Sequence, residues 1–234
     1  MSIAGDSPRD HSHDHAHDHG GGADLEALRR GSTAEAWDAI YSPSERRWSG
    51  QPNQALVDEV SGMAPGTALD VGCGEGADAV WLAQQGWRVS GLDVSGVALE
   101  RARAAAESAG AEVQWLHSGL DDTELPEDGF DLVSAFYPAL PRQPEGMNLI
   151  ALLGAVAPGG TLLFVAHADV DPDEARERGF DPDAYLSIDD LEAALRRSSH
   201  WEVTTRERRS RRVADGAGAG HTHDEVLRAV HSAE

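Results

Sequence analysis

The chain of 234 residues carries 41 acidic and 19 basic residues, for a formal net charge of −22. This length fits one ordinary domain with a sizeable core and a short appendage. All basic residues are arginine. Because a protein with this net charge repels a phosphate backbone, we expect no nucleic-acid partner. The absence of a long apolar run or a signal-peptide core predicts a cytoplasmic protein with no membrane contact, and the single cysteine, Cys73, agrees with a reducing compartment.

Residues 1–24 contain almost no large apolar side chains, which predicts a disordered, His-rich tail. Histidines occupy alternate positions from 11 to 19, with aspartates between some of them. Imidazole and carboxylate groups suit zinc, nickel or copper, so this tail is a candidate divalent-metal site, with a solvated tail as the alternative. The candidate ligands are His13, His15, His17 and His19.

Residues 25–66 are predicted to form an N-terminal helical cap or lid. Ser32 and Glu35 have the spacing of a capping box for a first helix, and Asn53 is placed to cap a second helix that stops at Pro65. Trp48 lies between the two helices. The aromatic residues of this segment fit a lid over a ligand as well as they fit an ordinary core.

From residue 67 to residue 234, strand-like and helix-like stretches alternate. This order predicts an α/β fold with a mostly parallel sheet covered by helices on both faces. Two further strand-like runs, close together in sequence, predict a C-terminal antiparallel hairpin at the sheet edge. The seven predicted strands cover residues 67–71, 88–92, 112–116, 130–136, 161–165, 201–207 and 225–230.

The first predicted strand ends in Leu69-Asp70-Val71-Gly72-Cys73-Gly74-Glu75-Gly76. Glycines at alternate positions permit a tight turn and let the backbone approach a ligand closely. Asp93 follows the second strand, at the distance from the loop where an acid accepts hydrogen bonds from the two hydroxyls of a ribose. The two features predict a nucleoside site at the carboxyl ends of the strands. A dinucleotide remains an alternative, because Gly72, Gly74 and Ala77 also satisfy the loose dinucleotide fingerprint.

The glycine loop, the stretch Gly91-Leu92-Asp93-Val94-Ser95, and Pro158-Gly159-Gly160 before the fifth strand together resemble the class I S-adenosylmethionine-dependent methyltransferases. These enzymes have a Rossmann-like fold with a closing antiparallel hairpin. The order Trp37, Tyr41, Trp48 and Gly50-Gln51-Pro52-Asn53 ahead of the loop resembles the tellurite-resistance and thiopurine or thiol methyltransferase branch. The resemblance implies S-adenosylmethionine as cofactor and a small, soft nucleophile such as a thiol as acceptor.

The resemblance also implies a role for each matching residue. Asp70 would face the cofactor ammonium, the loop would pass close to the methionyl and ribose groups, and Asp93 would hold the ribose hydroxyls. Asp121, with Asp122 as its rival, would receive the adenine amino group beside a backbone contact from Leu120. The implied cofactor-binding residues are Asp70, Gly72, Cys73, Gly74, Gly76, Asp93, Val94, Leu120, Asp121, Phe136 and Trp48.

The acceptor end of the site is less defined. Tyr41, Trp48, Tyr137 and His167 are candidates to line it, and no residue is assigned as catalytic. His221 and His223 form a candidate second metal pair. Two other functions compete with methyl transfer: a metal-binding protein that retains the fold, and a nicotinamide oxidoreductase, which the C-terminal hairpin and Pro158-Gly159-Gly160 disfavour.

Overall fold

The structure is a computed structural model that describes residues 33–177, 180–211 and 220–233. The histidine tail, with the candidate ligands His13, His15, His17 and His19, lies outside the described residues, as does the predicted cap Ser32. Thr33 caps the first described helix, because its side chain accepts a hydrogen bond from the Ala36 amide.

Seven strands form one mixed sheet in the order β3-β2-β1-β4-β5-β7-β6. The first five strands along the chain pair in parallel, while β7 pairs antiparallel with both β5 and β6. The predicted α/β fold and its C-terminal hairpin are therefore confirmed. The strands are β1 Thr67–Val71, β2 Arg88–Asp93, β3 Val113–His117, β4 Phe130–Phe136, β5 Val156–His167, β6 Trp201–Ser210 and β7 His223–His231.

Helices lie between the strands and ahead of β1. Helix α4 shows why they form: Ser95 accepts a hydrogen bond from the Ala98 amide at its start, and Gly110 ends it with a left-handed φ of 63°. The described helices are α1 Ala34–Tyr41, α2 Gln54–Val60, α3 Ala77–Gln84, α4 Gly96–Ala109, α5 Met147–Gly154, α6 Pro172–Glu177 and α7 Ile188–Arg197, with a 3-10 turn at Pro182–Ala184.

Two apolar clusters cover the two faces of the sheet. Alternate residues of a strand point to opposite faces, so Leu162 of β5 belongs to one cluster while its neighbour Leu163 belongs to the other. Helix α7 supplies Leu191 to the first cluster, and α2 supplies Leu56 to the second. Both faces of the central strands are therefore buried, as expected for a parallel sheet.

Two local predictions are confirmed only in part. Pro158-Gly159-Gly160 lies within β5 rather than before it, in an irregular stretch between Val156, which pairs with Phe130, and Thr161, which pairs with Leu132. A Cβ on Gly160 would lie 2.7 Å from the Phe130 carbonyl oxygen, so glycine serves close backbone approach here. Asn53 starts α2 but makes no side-chain cap, because its amide group binds Asp78 instead.

No helix in the described part of the chain is long and apolar enough to cross a bilayer.

The capping box of α7 gives a test of local stability. The Ser187 hydroxyl accepts a hydrogen bond from the Asp190 amide and donates one to the Asp190 carboxylate. Ser187→Ala removes both, and we expect the free energy of unfolding to fall by about 1 kcal/mol. Ser108→Ala is the control, since Ser108 bonds only to the Ala104 carbonyl of its own helix. Equal effects of the two substitutions in urea unfolding would contradict the capping role.

Candidate functional site

A cavity of about 690 Å³ opens at the carboxyl ends of the parallel strands. Its floor is the glycine loop after β1, flanked by the end of β2 on one side and the ends of β4 and β5 on the other. Residues of the N-terminal cap, which in the described chain covers 33–66, close the cavity from above. The volume is typical of a pocket for a cofactor or small molecule.

Backbone hydrogen bonds fix the position of the glycine loop. The amides of Gly72 and Cys73 both donate to the Leu92 carbonyl, which joins the loop to the end of β2. Gly74 and Gly76 are needed for close packing. A Cβ added to Gly74 would lie 2.8 Å from the Tyr41 hydroxyl oxygen, and one added to Gly76 would lie 2.7 Å from the Trp115 ring. An added Cβ on Gly72, in contrast, would have no heavy atom within 4 Å and would occupy the space of the cavity.

Asp93 is buried beside the loop. One oxygen of its carboxylate accepts a hydrogen bond from the Gly74 amide and the other accepts one from the Ser95 amide, each at 2.8 Å. Burial raises the pKa of Asp93, while these two amides oppose that shift. An ionised carboxylate accepts about four hydrogen bonds, so Asp93 keeps acceptor capacity towards a ligand in the cavity.

Asp70, at the end of β1, is only 2% exposed. Its Oδ1 accepts a hydrogen bond from the Ser134 hydroxyl at 3.2 Å, whereas its Oδ2 has no hydrogen-bond partner among the described residues. Burial, with the nearby negative charge of Asp78, raises the pKa of Asp70 well above its usual range. A buried carboxylate with an unsatisfied oxygen is costly unless a donor or a cation reaches it. Because Asp70 lines the cavity, this oxygen is a candidate position for a cationic group of a ligand.

Glu75 was not recognised in the sequence as a functional residue. Its buried carboxylate accepts hydrogen bonds from the backbone amides of Arg47 and Trp48 at 2.9 Å and pairs with the Arg101 guanidinium at 2.8 Å. The glycine loop and the N-terminal cap are therefore joined by one carboxylate. The signal was present in the sequence, since Glu75 lies within the glycine motif itself.

Two more carboxylates fix the cap. Asp78 accepts hydrogen bonds at 2.7 Å from both the backbone amide and the side chain of Asn53. Asp38 accepts hydrogen bonds from the Ser95 hydroxyl at 2.6 Å and from the Val97 amide at 3.1 Å, at the start of α4. These contacts place the cap over the loop.

Trp48 is 36% exposed at the cavity wall, and its indole N–H donates to the Tyr41 hydroxyl at 3.0 Å. Both readings of the cap aromatics apply to Tyr41, which is buried with the core residues and also lines the cavity, as predicted. Burial raises the pKa of its hydroxyl. Trp48 has the position expected of a lid residue.

Val94, Leu120, Phe136 and Tyr137 also line the cavity, as expected. Cys73 lines it too, but burial raises the pKa of its thiol well above the usual range, so the thiol is not an activated nucleophile. Asp121 and Asp122 are exposed and are not among the lining residues. The Asp121 carboxylate accepts a hydrogen bond from the Gln143 side chain at 2.6 Å. Their contact with adenine stays a prediction.

A group of polar residues lies where β4, β5 and β7 meet at the cavity. The rings of Tyr137 and His167 stack at 4.1 Å, and His221 stacks on His167 at 3.8 Å. His167 Nδ1 lies 3.9 Å from the carboxylate of Asp224, which also lies 3.6 Å from the Arg211 guanidinium. Since β7 runs antiparallel, its first residues reach the edge where the parallel strands end. Asp224 and Arg211 were not singled out in the sequence.

The predicted metal pair of His221 and His223 is not part of a larger ligand set. Within the described residues, no group of three or more His, Cys, Asp or Glu side chains could hold a metal ion. His223 instead makes a contact with the Thr222 hydroxyl at 2.9 Å.

The central part of the chain is similar to known proteins. Residues 68–160 match the model of a methyltransferase domain family. An uncharacterized methyltransferase of Mycobacterium tuberculosis is 36% identical over 111 residues, which cover 47% of this chain and 55% of that protein. A ubiquinone biosynthesis O-methyltransferase of Vibrio parahaemolyticus is 32% identical over 111 residues, 47% of each chain. The matched region is therefore about half the length of these curated relatives.

Solved structures match over more of the chain. A structure from work on the conversion of a disulfide bond into a thioacetal group during echinomycin biosynthesis has a TM-score of 0.67 and 25% identity, covering 86% of this chain and 93% of that one. Magnesium protoporphyrin IX methyltransferase of Synechocystis, solved with bound S-adenosylhomocysteine, has a TM-score of 0.59 and 19% identity, covering 89% of this chain and 100% of that one.

The seven-stranded sheet has the Rossmann-like fold, and its part from residue 68 to residue 160 matches a methyltransferase domain. The predicted fold is thus confirmed. The family match agrees with the predicted class of enzyme and with its S-adenosylmethionine cofactor. The tellurite-resistance and thiopurine branch is not among the relatives described above.

Substitutions at two glycines with similar backbone conformations can distinguish an effect on cofactor binding from an effect on stability. Gly72 and Gly110 have left-handed φ values of 71° and 63°, and neither would crowd an added Cβ. We expect Gly72→Ala and Gly110→Ala each to lose about 1–2 kcal/mol of stability. Calorimetry should show S-adenosylhomocysteine affinity at least about tenfold weaker in Gly72→Ala and unchanged in Gly110→Ala, equivalent to about 1.4 kcal/mol. Equal affinities would mean that the cofactor does not pass Gly72.

Proposed function

We propose that the chain is an S-adenosylmethionine-dependent methyltransferase that transfers the methyl group to a small molecule. The observation that carries the proposal is the unsatisfied Oδ2 of buried Asp70 beside the open space at Gly72. A cofactor with a cationic methionyl group and a ribose supplies what this site lacks. The cation neutralises Asp70, and the ribose hydroxyls donate to the remaining acceptor positions of Asp93.

The residues present fit this cofactor. When bound, it would supply a methyl group attached to a sulfonium, from which the thioether is an excellent leaving group. The protein therefore needs mainly to orient the acceptor and exclude water. Asp70, the glycine loop and Asp93 would hold the cofactor, with Val94 and Leu120 on the adenine side. Trp48 and the rest of the cap would limit the access of water from above.

The proposed acceptor is small because residues of the cap line the cavity together with the glycine loop. Glu75, Asp78 and Asp38 attach the cap to the domain by direct hydrogen bonds, which leaves little room for a macromolecule. The net charge of −22 also opposes an RNA acceptor. A thiol or another soft nucleophile is the acceptor predicted from the sequence, and its identity stays a prediction, as does the cytoplasmic location.

Metal binding by the histidine tail is the alternative function predicted from the sequence. Its candidate ligands lie outside the described residues, and no contact described above favours it. Methyl transfer therefore stands as the proposed function.

Asp70→Asn tests the proposal at the residue that carries it. The amide keeps the shape but removes the charge, so we expect a loss of about 1.5–3 kcal/mol in S-adenosylhomocysteine binding, or roughly 10- to 100-fold in Kd. Because burial raises the pKa of Asp70, acidification should protonate it and weaken binding at a higher pH than for an ordinary aspartate, whose pKa is about 3.9. The variant should show a shallower decline in affinity as the pH falls.

Asp131→Asn is the matched control. Asp131 lies at the opposite end of the sheet, where its carboxylate accepts hydrogen bonds from the amide and hydroxyl of Thr67. This variant should be less stable but bind S-adenosylhomocysteine as the wild type does. Absence of binding to the wild-type protein in calorimetry would refute the proposed function.

A further inference from the structure

The polar group at the β4, β5 and β7 ends is not among the residues assigned to the cofactor. The sheet order puts β2 and β4 on opposite sides of β1. Asp93 ends β2 and marks the ribose side, whereas Tyr137 follows β4 and His167 ends β5. Neighbouring strands are about 4.8 Å apart, so His167 lies two strand positions from the glycine loop, away from the ribose. This is the side of the cavity left for the acceptor.

We propose that His167, positioned by Asp224, is the general base that accepts the proton of a phenolic hydroxyl on the acceptor. This inference rests on the proposed methyltransferase function and specifies its substrate class. The acceptor oxygen forms a bond to the methyl carbon as the bond from that carbon to sulfur breaks. The hydroxyl proton passes to the imidazole nitrogen of His167 that is remote from Asp224, and S-adenosylhomocysteine leaves with the former bonding pair on sulfur.

The geometry of the pair supports this role. Asp224 is only 5% exposed, and its Oδ1 has no hydrogen-bond partner in the described ranges. His167 Nδ1 is likewise buried without a partner there and faces that oxygen at 3.9 Å. The distance is too long for a hydrogen bond, but catalytic hydrogen bonds often tighten only when substrate binds. A carboxylate beside Nδ1 fixes the other ring nitrogen as the proton acceptor.

The neighbours of His167 either stack on its ring or share the Asp224 carboxylate with it. Tyr137 has a left-handed φ of 50°, a conformation that strains a non-glycine residue and is typical of functional sites. This conformation accompanies the stacking of the Tyr137 ring on His167. Burial raises the pKa of Tyr137, so its hydroxyl stays protonated and is a poor base. Among the described residues, His221 stacks on His167, Arg211 contacts Asp224, and the Tyr137 hydroxyl also interacts with Asp224.

The chemistry of the pair and the walls of the cavity indicate the acceptor class. A thiol ionises more readily and needs little help, whereas a phenol has a pKa near 10 and gains from a base within reach. Aromatic side chains line the cavity at Trp48, Phe136 and Tyr137, which favours a planar ring. Both features fit a phenol.

Methyl transfer to two phenols of different acidity tests the base. Unsubstituted phenol needs a base, whereas 4-nitrophenol is acidic enough to ionise near neutral pH. We expect His167→Gln to lower transfer to phenol by about 100-fold or more and to change transfer to 4-nitrophenol by less than about threefold. A merely structural role would lower both rates equally.

A second readout does not depend on turnover. The absorbance of 4-nitrophenol reports whether it is ionised. In the S-adenosylhomocysteine complex at a pH where free 4-nitrophenol is mostly neutral, the wild type should bind it largely in the ionised form. His167→Gln should bind it in the neutral form, and Asp224→Asn should give an intermediate result. An unchanged absorbance across the three proteins would overturn the assignment.

His231→Gln is the matched control, since His231 also stacks on an aromatic ring, that of Trp201, far from the cavity. It should leave both rates and the absorbance unchanged. Transfer to thiophenol but to neither phenol would overturn the proposal in favour of a thiol. Failure to methylate phenol by a protein that binds S-adenosylhomocysteine would also overturn it. Failure to bind S-adenosylhomocysteine would refute the proposed function, and this inference with it.

Discussion

The burial of four carboxylates around one short loop is the constraint on which the site depends. Asp70, Glu75, Asp78 and Asp93 lie within 24 positions of each other and are all at most 9% exposed. A buried charge is costly unless hydrogen bonds or an opposite charge compensate it. In a protein that is already strongly acidic, each of these carboxylates therefore requires hydrogen-bond donors or a positive charge next to it.

The partners of these carboxylates explain the architecture. Asp93 is compensated by amides of the loop and of α4, so it fixes the turn after β1 against the end of β2. Glu75 and Asp78 are compensated by the N-terminal cap, so the cap must lie over the loop for the domain to be stable. Asp70 alone keeps an oxygen without a partner among the described residues, and it does so inside the cavity. The same electrostatic requirement thus shapes the cap and leaves one position for a cationic ligand.

The sequence predicted what depends on local pattern. The bounds of β1 and β4 follow from apolar runs, which act over a few positions. The contact between Glu75 and the Trp48 amide joins residues 27 apart and has no periodic signal. The same holds for His167 and Asp224, which meet only because β7 runs antiparallel beside β5. In β5, the sequence Pro158-Gly159-Gly160 has the composition of a turn, but Gly160 allows close contact with β4.

The direction of β7 has a functional consequence beyond closing the sheet. In a wholly parallel sheet, only residues that end strands reach the carboxyl edge, and each strand contributes one loop there. An antiparallel strand brings its beginning to the same edge, so Asp224 arrives from a different part of the chain. Register then decides the pairing, since His167 is opposite Asp224 in the ladder between β5 and β7. A slip of one residue would move that carboxylate to the other face of the sheet, so the hairpin that ends the fold also sets the acceptor side of the site.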